Sequence, residues 1–318
     1  MNYSLGTTLT KRYRLVTRSD FDGLVCAALL RELGVLEDTL FVHPKDMQDG
    51  KVEITEHDIT TNLPFVATAF LAFDHHHSET ERVGDAPENL ICDAEADSAA
   101  RVLYDHFGGA ERFGHAISDE LMAAVDKADR ARFELDEILR PDGWVLLNFL
   151  MDPRTGLGRF RDFTISNYQL MMLLIDAVLE LEIDEVLALP DVRERVELFE
   201  AHRGLAEEQI RRCSTPHGNL VVLDLRDEDV IYAANRFLIY ALFPACNSTI
   251  HELWGRDRQN IVFATGASIV NRTCRTDIGS LMLRYGGGGH FAAGTCQIDT
   301  EDAPRVLDEL IGEITHNG

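Results

Sequence analysis

Basic residues are scarce in this sequence of 318 residues, and so are closely spaced cysteines. The 30 Lys and Arg are outnumbered by 54 Asp and Glu, which gives a formal net charge of −24. Such a charge repels a long polyanion and argues against long duplex nucleic acid as a partner. The 6 cysteines form no Cys-x-x-Cys pair and are interpreted as reduced, mostly buried side chains. A small anionic substrate stays compatible with this charge, because bound metal ions reverse the sign of the field inside a site.

Long apolar runs are missing as well. The opening stretch, residues 1–16, holds no apolar core of signal-peptide length. The most apolar later segment, 168–183, is interrupted by Asp176 and Glu180. We therefore expect a cytoplasmic protein without a membrane span. Whether two copies form a homodimer is left open.

Several catalytic and nucleotide-binding signatures are also absent from the sequence. It contains neither a Gly-x-Ser-x-Gly elbow nor a Gly-x-x-x-x-Gly-Lys-Ser/Thr loop, so a serine hydrolase or a P-loop protein has no support. The segment 156–161, GLGRFR, lacks the third glycine of a dinucleotide fingerprint.

Apolar strands alternate with helical patterns in the first half of the chain. The strand-like segments are 13–16, 39–44 and 65–74. The helical segments are 23–33, 97–108 and 118–133. Because strands that alternate with helices form parallel sheets, the predicted fold class is α/β.

The second half of the chain changes pattern twice. From Ser166 to Cys213 the spacing of apolar residues is helical, and strand-like segments then return at 220–225 and 260–270. We therefore predict an N-terminal parallel-sheet domain and a smaller C-terminal α/β domain, joined by a helical connector. The predicted boundaries are 1–190, 191–214 and 215–318.

Two aspartates follow the first strand in the stretch SDFDG. The carboxyl ends of parallel strands are where ligands collect, so Asp20 and Asp22 are candidates for a cation site. Two carboxylates held close together repel each other unless a cation lies between them or one is protonated. The alternative is structural, since Ser19 or Asp20 could cap the helix that begins near Gly23.

A second polar cluster ends the apolar strand FLAFD. Asp74, His75, His76 and His77 follow one another at its carboxyl end, where a core strand has no structural use for them. Imidazole and carboxylate are common ligands of manganese, iron and zinc, and a ligating histidine usually needs a carboxylate to fix its ring. The alternative is a solvated turn that happens to be rich in histidine.

Together with the glycine-rich stretch YGGGGHFAAG at 285–294, these motifs resemble the DHH phosphoesterase superfamily, and most closely its exopolyphosphatase-related branch. The resemblance covers nearly the whole chain, with Asp74-His75-His76 as the namesake motif and Asp20-Phe21-Asp22 as the Asp-x-Asp motif. It implies an N-terminal metal-binding phosphoesterase domain and a DHH-associated domain that binds substrate.

The resemblance also implies a set of metal ligands. By position these are Asp20, Asp22, Asp58, His75 and Asp126, with Asp58 as a bridging ligand. Asp129 lies one helical turn after Asp126 and could serve instead. The implied cofactor is Mn²⁺, as one or two ions, with Mg²⁺ as an alternative.

The catalytic and substrate-binding residues follow in the same way. Asp74 would steady His75, and His76 would point at the substrate phosphate. The implied substrate-binding residues are Arg18, Arg272, Gly287, Gly288, Gly289 and His290.

The sequence departs from the family pattern before the first motif. A histidine usually stands four or two residues before the first aspartate, and here those positions hold Val16 and Arg18. Arg18 could act as a fixed cation near the phosphate.

The function implied is hydrolysis of phosphoanhydride or phosphodiester bonds by a metal-activated water. The substrate would be small: short polyphosphate, a short single-stranded oligonucleotide or a related nucleotide. One alternative is a catalytically weak, metal-dependent nucleotide binder or sensor, which the missing histidine favours. Another is a nucleic-acid-binding protein, because the C-terminal domain also resembles one found in alanyl-tRNA synthetases; the net charge of −24 argues against it.

Overall fold

The protein is described by a computed structural model that covers residues 11–76, 79, 82–83, 87–160 and 162–317. His77 of the histidine-rich motif lies outside the described residues. Two compact units are present. The first contains the chain up to Arg132 together with Pro141–Glu197, and the second contains Phe133–Arg140 and the chain from Leu198 onward.

A five-stranded parallel sheet forms the centre of the first unit, as predicted. Its strands are β1 (Tyr13–Thr17), β2 (Leu36–Phe41), β3 (Asp58–Thr61), β4 (Leu71–Asp74) and β5 (Leu90–Cys92). They lie in the order β2-β1-β3-β4-β5, with every neighbouring pair parallel. The strand order reverses direction between β1 and β3, and in open α/β sheets the carboxyl ends at such a switch point bind ligands.

Two strand predictions in this unit needed correction. The segment 65–74 is a strand only from Leu71, because its earlier part turns and packs its apolar side chains, with Val16, against Met47 and Ile54. Strand β3 was not predicted at all. Its four buried residues include Thr60 and Thr61 and show no run of apolar side chains.

Helices cover the sheet of the first unit. They are α1 (Phe21–Glu32), α2 (Pro44–Gln48), α3 (Ala99–His106), α4 (Gly109–Phe113), α5 (Asp119–Asp129), α7 (Gly143–Met151), α8 (Asn167–Glu180) and α9 (Ile183–Ala188). Helix α1 is buried from Phe21 to Leu30. A Cβ atom on Gly23 would lie 2.1 Å from the carbonyl oxygen of Arg18, so only glycine lets α1 start this close to the end of β1.

The second unit contains a mixed six-stranded sheet. Its strands are β6 (Ser214–His217), β7 (Leu220–Asp224), β8 (Ser248–Trp254), β9 (Ile261–Ala267), β10 (Gly288–His290) and β11 (Ala293–Ile298), in the order β10-β11-β9-β8-β7-β6. Only β7 and β8 pair in parallel. The helices are α6 (Leu135–Leu139), α11 (Leu238–Leu242), α12 (Ile278–Leu283) and α13 (Ala303–Asn317).

The predicted connector is largely one helix. Helix α10 runs from Pro190 to Arg212, and the division between the two units falls within it. Among the helices of the described ranges, none is both long and apolar enough to cross a membrane.

Candidate metal centre

The two aspartates after β1 have different environments. Asp20 is the N-cap of α1 and accepts a hydrogen bond from the Gly23 N–H at 3.0 Å. Its other oxygen lies 3.1 Å from Nε of Arg18. The capping alternative therefore holds for Asp20. Asp22 lies in the first turn of α1, and its side chain points toward the start of α3.

Asp22 is held at the start of another helix. It is 2% exposed, and its carboxylate accepts hydrogen bonds from the N–H groups of Ala99 and Ala100 at 3.3 and 2.7 Å. Nδ2 of Asn62 donates to it at 2.8 Å. The free N–H groups at the start of α3 favour an anion there. Even so, burial together with Asp129 and Asp20 raises the pKa of Asp22 to about 8.

His75 lies beside this carboxylate, at the carboxyl end of β4. It is 6% exposed, and its Nε2 is 3.0 Å from Oδ2 of Asp129. Within the described residues, neither ring nitrogen has a hydrogen bond of good geometry. Burial alone would lower the pKa of His75, but Asp129 and Asp22 outweigh it and raise this pKa to about 9. Burial likewise opposes ionisation of Asp129, and His75 outweighs it and lowers the Asp129 pKa.

These side chains fit a divalent cation. Asp22, His75 and Asp129 each offer one ligand atom, and the three atoms lie within 4.8 Å of one another. A buried carboxylate, a half-buried carboxylate and a buried imidazole are a donor set that manganese and similar ions accept. A cation at this point would remove the carboxylate repulsion that raises the pKa of Asp22.

Asp74 organises the histidine motif through the backbone. Its Oδ1 accepts hydrogen bonds from the N–H groups of His75 and His76 at 2.7 and 3.1 Å. The same oxygen lies 2.7 Å from Nδ1 of His76, whose ring is half-exposed. Asp74 thus fixes the His76 ring directly and His75 only through its main chain.

The position of Asp58 requires a correction. Asp58 begins β3 and lies beside Arg14 of β1 in the strand register, so it belongs to the amino edge of the sheet. Its carboxylate accepts hydrogen bonds from Arg14 at 2.6 and 3.0 Å and from the Thr55 N–H at 2.7 Å. Asp22 and His75 lie at the carboxyl edge. Asp58 was chosen as the acid between the two motifs, but the residue that β3 brings to the site is Asn62.

Asp126 also requires correction, in favour of the alternative one turn later. Its Oδ1 accepts a hydrogen bond from Oγ of Ser98 at 2.7 Å, and its Oδ2 accepts two from the Arg101 guanidinium at 3.0 and 2.7 Å. The carboxylate that faces His75 is that of Asp129. Ser98 also caps α3 by accepting a hydrogen bond from the Arg101 N–H at 3.0 Å. Asp126 therefore ties α5 to the start of α3, where Asp22 is held.

We expect the Asp126→Asn variant to bind Mn²⁺ about 10- to 100-fold more weakly, as is typical when a group that orients a ligand is lost. The physical reason is that α5 would no longer be fixed against α3, so the Asp129 carboxylate would no longer be held facing His75. Calorimetric titration of the full chain with Mn²⁺ measures this. Asp105→Asn is the matched control, because Asp105 lies 3.8 Å from the same arginine and is largely exposed. Unchanged Mn²⁺ affinity in Asp126→Asn would limit its role to stability.

The glycine-rich stretch forms a helix end followed by a tight hairpin. The N–H groups of Gly286 and Gly287 donate to the carbonyls of Leu283 and Met282 at 3.1 and 3.0 Å. Gly287 was expected to bind substrate, but its N–H is already engaged by the Met282 carbonyl. Gly288 begins β10, which pairs with β11.

Close packing explains two of the four glycines in the run, Gly287 and Gly289. A Cβ atom on Gly287 would lie 2.0 Å from the Thr295 carbonyl oxygen, and one on Gly289 would lie 2.1 Å from that of Ala293. A Cβ on Gly288 would meet nothing within 4 Å.

His290 and Arg272 belong to one edge of the second sheet. His290 ends β10 and is exposed, and the hairpin turn that follows it is bonded to the end of β9 through Ala267 N–H and Ala292 C=O at 2.8 Å. The segment that carries Arg272 leaves β9 at this point, and Arg272 is exposed. Both residues thus belong to segments that are joined through the Ala267–Ala292 hydrogen bond.

Comparison with solved structures gives an extended match. A pGpG-specific phosphodiesterase, PggH from Vibrio cholerae, aligns at 58% sequence identity and a TM-score of 0.84, over 96% of this chain and 100% of that chain. The chain belongs to the DHH phosphoesterase superfamily. Scans against protein-family models and against curated proteins found no match.

More distant structures agree in fold. RecJ from Thermus thermophilus in complex with Mn²⁺ aligns at 14% identity and a TM-score of 0.53, over 96% of this chain and 52% of that chain. A second RecJ exonuclease, bound to manganese, aligns at 16% identity and the same TM-score of 0.53, over 95% and 90% of the two chains.

The predicted enzyme class is confirmed: the chain is a DHH-family phosphoesterase. The neighbours support the superfamily and do not single out its exopolyphosphatase-related branch.

Proposed function

We propose that this DHH phosphoesterase hydrolyses the phosphodiester bond of a short linear dinucleotide of the pGpG type, with Mn²⁺ as its preferred ion. The observation that carries this proposal is the 58% identity with a pGpG-specific phosphodiesterase over 96% of the chain. Manganese is favoured by the carboxylate and imidazole donor set and by its presence in the RecJ structures.

The proposed metal ligands are Asp22, His75 and Asp129, in place of the set implied by the resemblance, which included Asp58 and Asp126. A divalent ion bound there would polarise the phosphate and lower the pKa of a bound water. The first-turn amides of α3 keep Asp22 in place, and the bond between Asp126 and Arg101 keeps Asp129 in place. Proposed site residues thus come from several different elements at the sheet edge.

His76 is proposed to contact the substrate. Its Nδ1 is engaged by Asp74, which fixes the ring and leaves Nε2 to meet a phosphate oxygen or the leaving oxygen. A protonated Nε2 can donate a hydrogen bond to that oxygen and transfer its proton as the bond to phosphorus breaks. Arg18 adds a fixed positive charge at the end of β1.

The second unit is also proposed to contain substrate-binding residues. Arg272 and His290 supply cationic and hydrogen-bonding groups from one sheet edge, and Gly288 lets the backbone approach a ligand because its Cα carries no side chain. Domain boundaries of 1–190, 191–214 and 215–318 remain the proposed functional division.

The proposal predicts conversion of one pGpG and one water to two GMP. We expect pGpG to be cleaved at least about 10²-fold faster than short polyphosphate, because a site built to hydrogen-bond a base rejects substrates that lack it. Chromatography of the products, with added Mn²⁺ and with chelator, measures this. A cyclic dinucleotide and a dinucleotide of pyrimidines complete the panel. Faster turnover of polyphosphate than of pGpG would contradict the proposed substrate.

A further inference from the structure

The carboxylates at the carboxyl edge of the first sheet are unequally available. Asp20, Asp22, Asp74 and Asp129 are the carboxylates nearest the two motifs among the residues that the structure describes. Asp20 is occupied by the Arg18 guanidinium at 3.1 Å and by the Gly23 N–H. Asp74 is occupied by two backbone N–H groups and the His76 ring. Asp22 and Asp129 are the carboxylates that share a cluster with His75, and two negative charges balance one divalent ion.

Arg18 lies where a second cation would compensate Asp20. It follows β1 directly and its side chain is 32% exposed, so one side contacts Asp20 while the other meets solvent. Val16, the other position before the motif, is fully buried in an apolar cluster and offers no ligand. A guanidinium binds phosphate oxygens through a planar fork of N–H groups.

Asn62 lies at the middle of the carboxyl edge of the first sheet, where a second ion would need a ligand. It follows β3, which lies between β1 and β4, and it is buried. An acid here could bridge two ions, which lie roughly 3.5–4 Å apart in two-metal sites. The side chain is instead a neutral amide whose Nδ2 donates a hydrogen bond to Asp22 at 2.8 Å.

We propose that this centre binds a single divalent ion, held by Asp22, His75 and Asp129, and that the Arg18 guanidinium over Asp20 supplies the second positive charge for the substrate phosphate. The inference rests on the metal site of the proposed function. Arg18 then binds the substrate phosphate in place of a second ion and, unlike an ion, is not removed by a chelator.

Metal stoichiometry tests the inference without reference to activity. The full chain is loaded with Mn²⁺, freed of excess ion and analysed for metal per chain, and the electron paramagnetic resonance spectrum is recorded. We expect one ion per chain and the six-line spectrum of an isolated Mn²⁺. The double variant Arg18→His/Asn62→Asp is expected to bind two ions and to give a spectrum of two coupled ions.

A matched double variant tests whether adding a histidine and an aspartate anywhere on the chain is enough to bind a second ion. Arg12→His/Asn317→Asp makes the same substitutions at exposed positions and should keep one ion. Arg18→Ala should also keep one ion, with the KM for pGpG raised about tenfold or more by loss of a charge-assisted hydrogen bond.

The outcomes separate the two proposals. Two ions or a coupled spectrum in the wild-type chain would overturn the inference, and so would an unchanged KM in Arg18→Ala. A folded double variant that still binds one ion would show that Arg18 and Asn62 do not exclude the second ion. No bound ion in the wild-type chain would instead overturn the metal site of the proposed function.

Discussion

The Asp129→Asn variant is expected to lose metal-dependent turnover of pGpG by at least about 10³-fold, since a catalytic ion contributes several kcal/mol to the transition state. Asp129 faces Nε2 of His75 at 3.0 Å and supplies one of the two carboxylates of the proposed centre. The amide keeps the shape of the side chain but removes its charge. Initial rates at several Mn²⁺ concentrations measure the loss and show whether excess ion restores activity.

Asp58→Ala is the informative partner in this experiment. Because Asp58 lies at the amino edge of the sheet, we expect its removal to leave kcat and Mn²⁺ affinity close to those of the wild-type chain. Loss of turnover in a folded Asp58→Ala variant, with Asp129→Asn still active, would restore the original ligand assignment.

The second large effect is a loss of folding stability in the Asp58→Ala variant. Asp58 is 2% exposed in its side chain, and its carboxylate meets the Arg14 guanidinium and the Thr55 N–H. Removing one partner of a buried pair costs about 3–5 kcal/mol. Arg14 keeps partial contact with water, so we expect Asp58→Ala to lower the free energy of unfolding by about 1–3 kcal/mol.

The loss should depend on pH in a defined direction. Burial raises the pKa of Asp58, but the bonds from Arg14 and Thr55 outweigh it and leave this pKa below its usual value. A depressed pKa in the folded state stabilises the fold above the unfolded value of about 3.9 and ceases to do so as pH falls through the folded value. The gap between wild type and Asp58→Ala should therefore be full at neutral pH and shrink in acid.

Urea unfolding at neutral pH and at several acid pH values measures this gap. Glu53→Ala is the control, because Glu53 is exposed and its hydrogen bond with Arg14 uses the backbone carbonyl, which alanine keeps. We expect its effect to stay within about 0.5 kcal/mol. A gap that widens in acid would contradict the assigned role of the ion pair.

Local motifs were enough to predict that the Asp-x-Asp and Asp-His-His segments share one edge of the sheet. The strand ending in Asp20 and Asp22 and the strand ending in His75 carry their polar residues at their own carboxyl ends, so strand direction alone places them together. The same reasoning failed for Asp58. Strand β3 is only four residues long and contains two threonines, so it has no apolar pattern that a sequence analysis could recognise. The buried hydroxyl of Thr61 is satisfied by a 2.7 Å hydrogen bond with Thr17 of β1.

The choice between Asp126 and Asp129 was beyond the sequence for a different reason. Both lie on the same helix one turn apart, and residues at that spacing share a face. What separates them is the contact that each makes with another element: Arg101 of α3 for Asp126, and His75 for Asp129. Such contacts join residues distant in the chain, and no local spacing predicts them.

The hairpin after α12 constrains which substitutions can arise in the glycine run. A methyl group at Gly287 or Gly289 would overlap a carbonyl oxygen at 2.0 or 2.1 Å, and Gly286 has a φ of 74°. Loss-of-function alleles at these three positions would therefore report a failure of folding, whatever the ligand. Gly288 has open space around its Cα, so a side chain fits there without disturbing the fold. Natural variation at Gly288 can therefore reflect a change in the substrate that is bound.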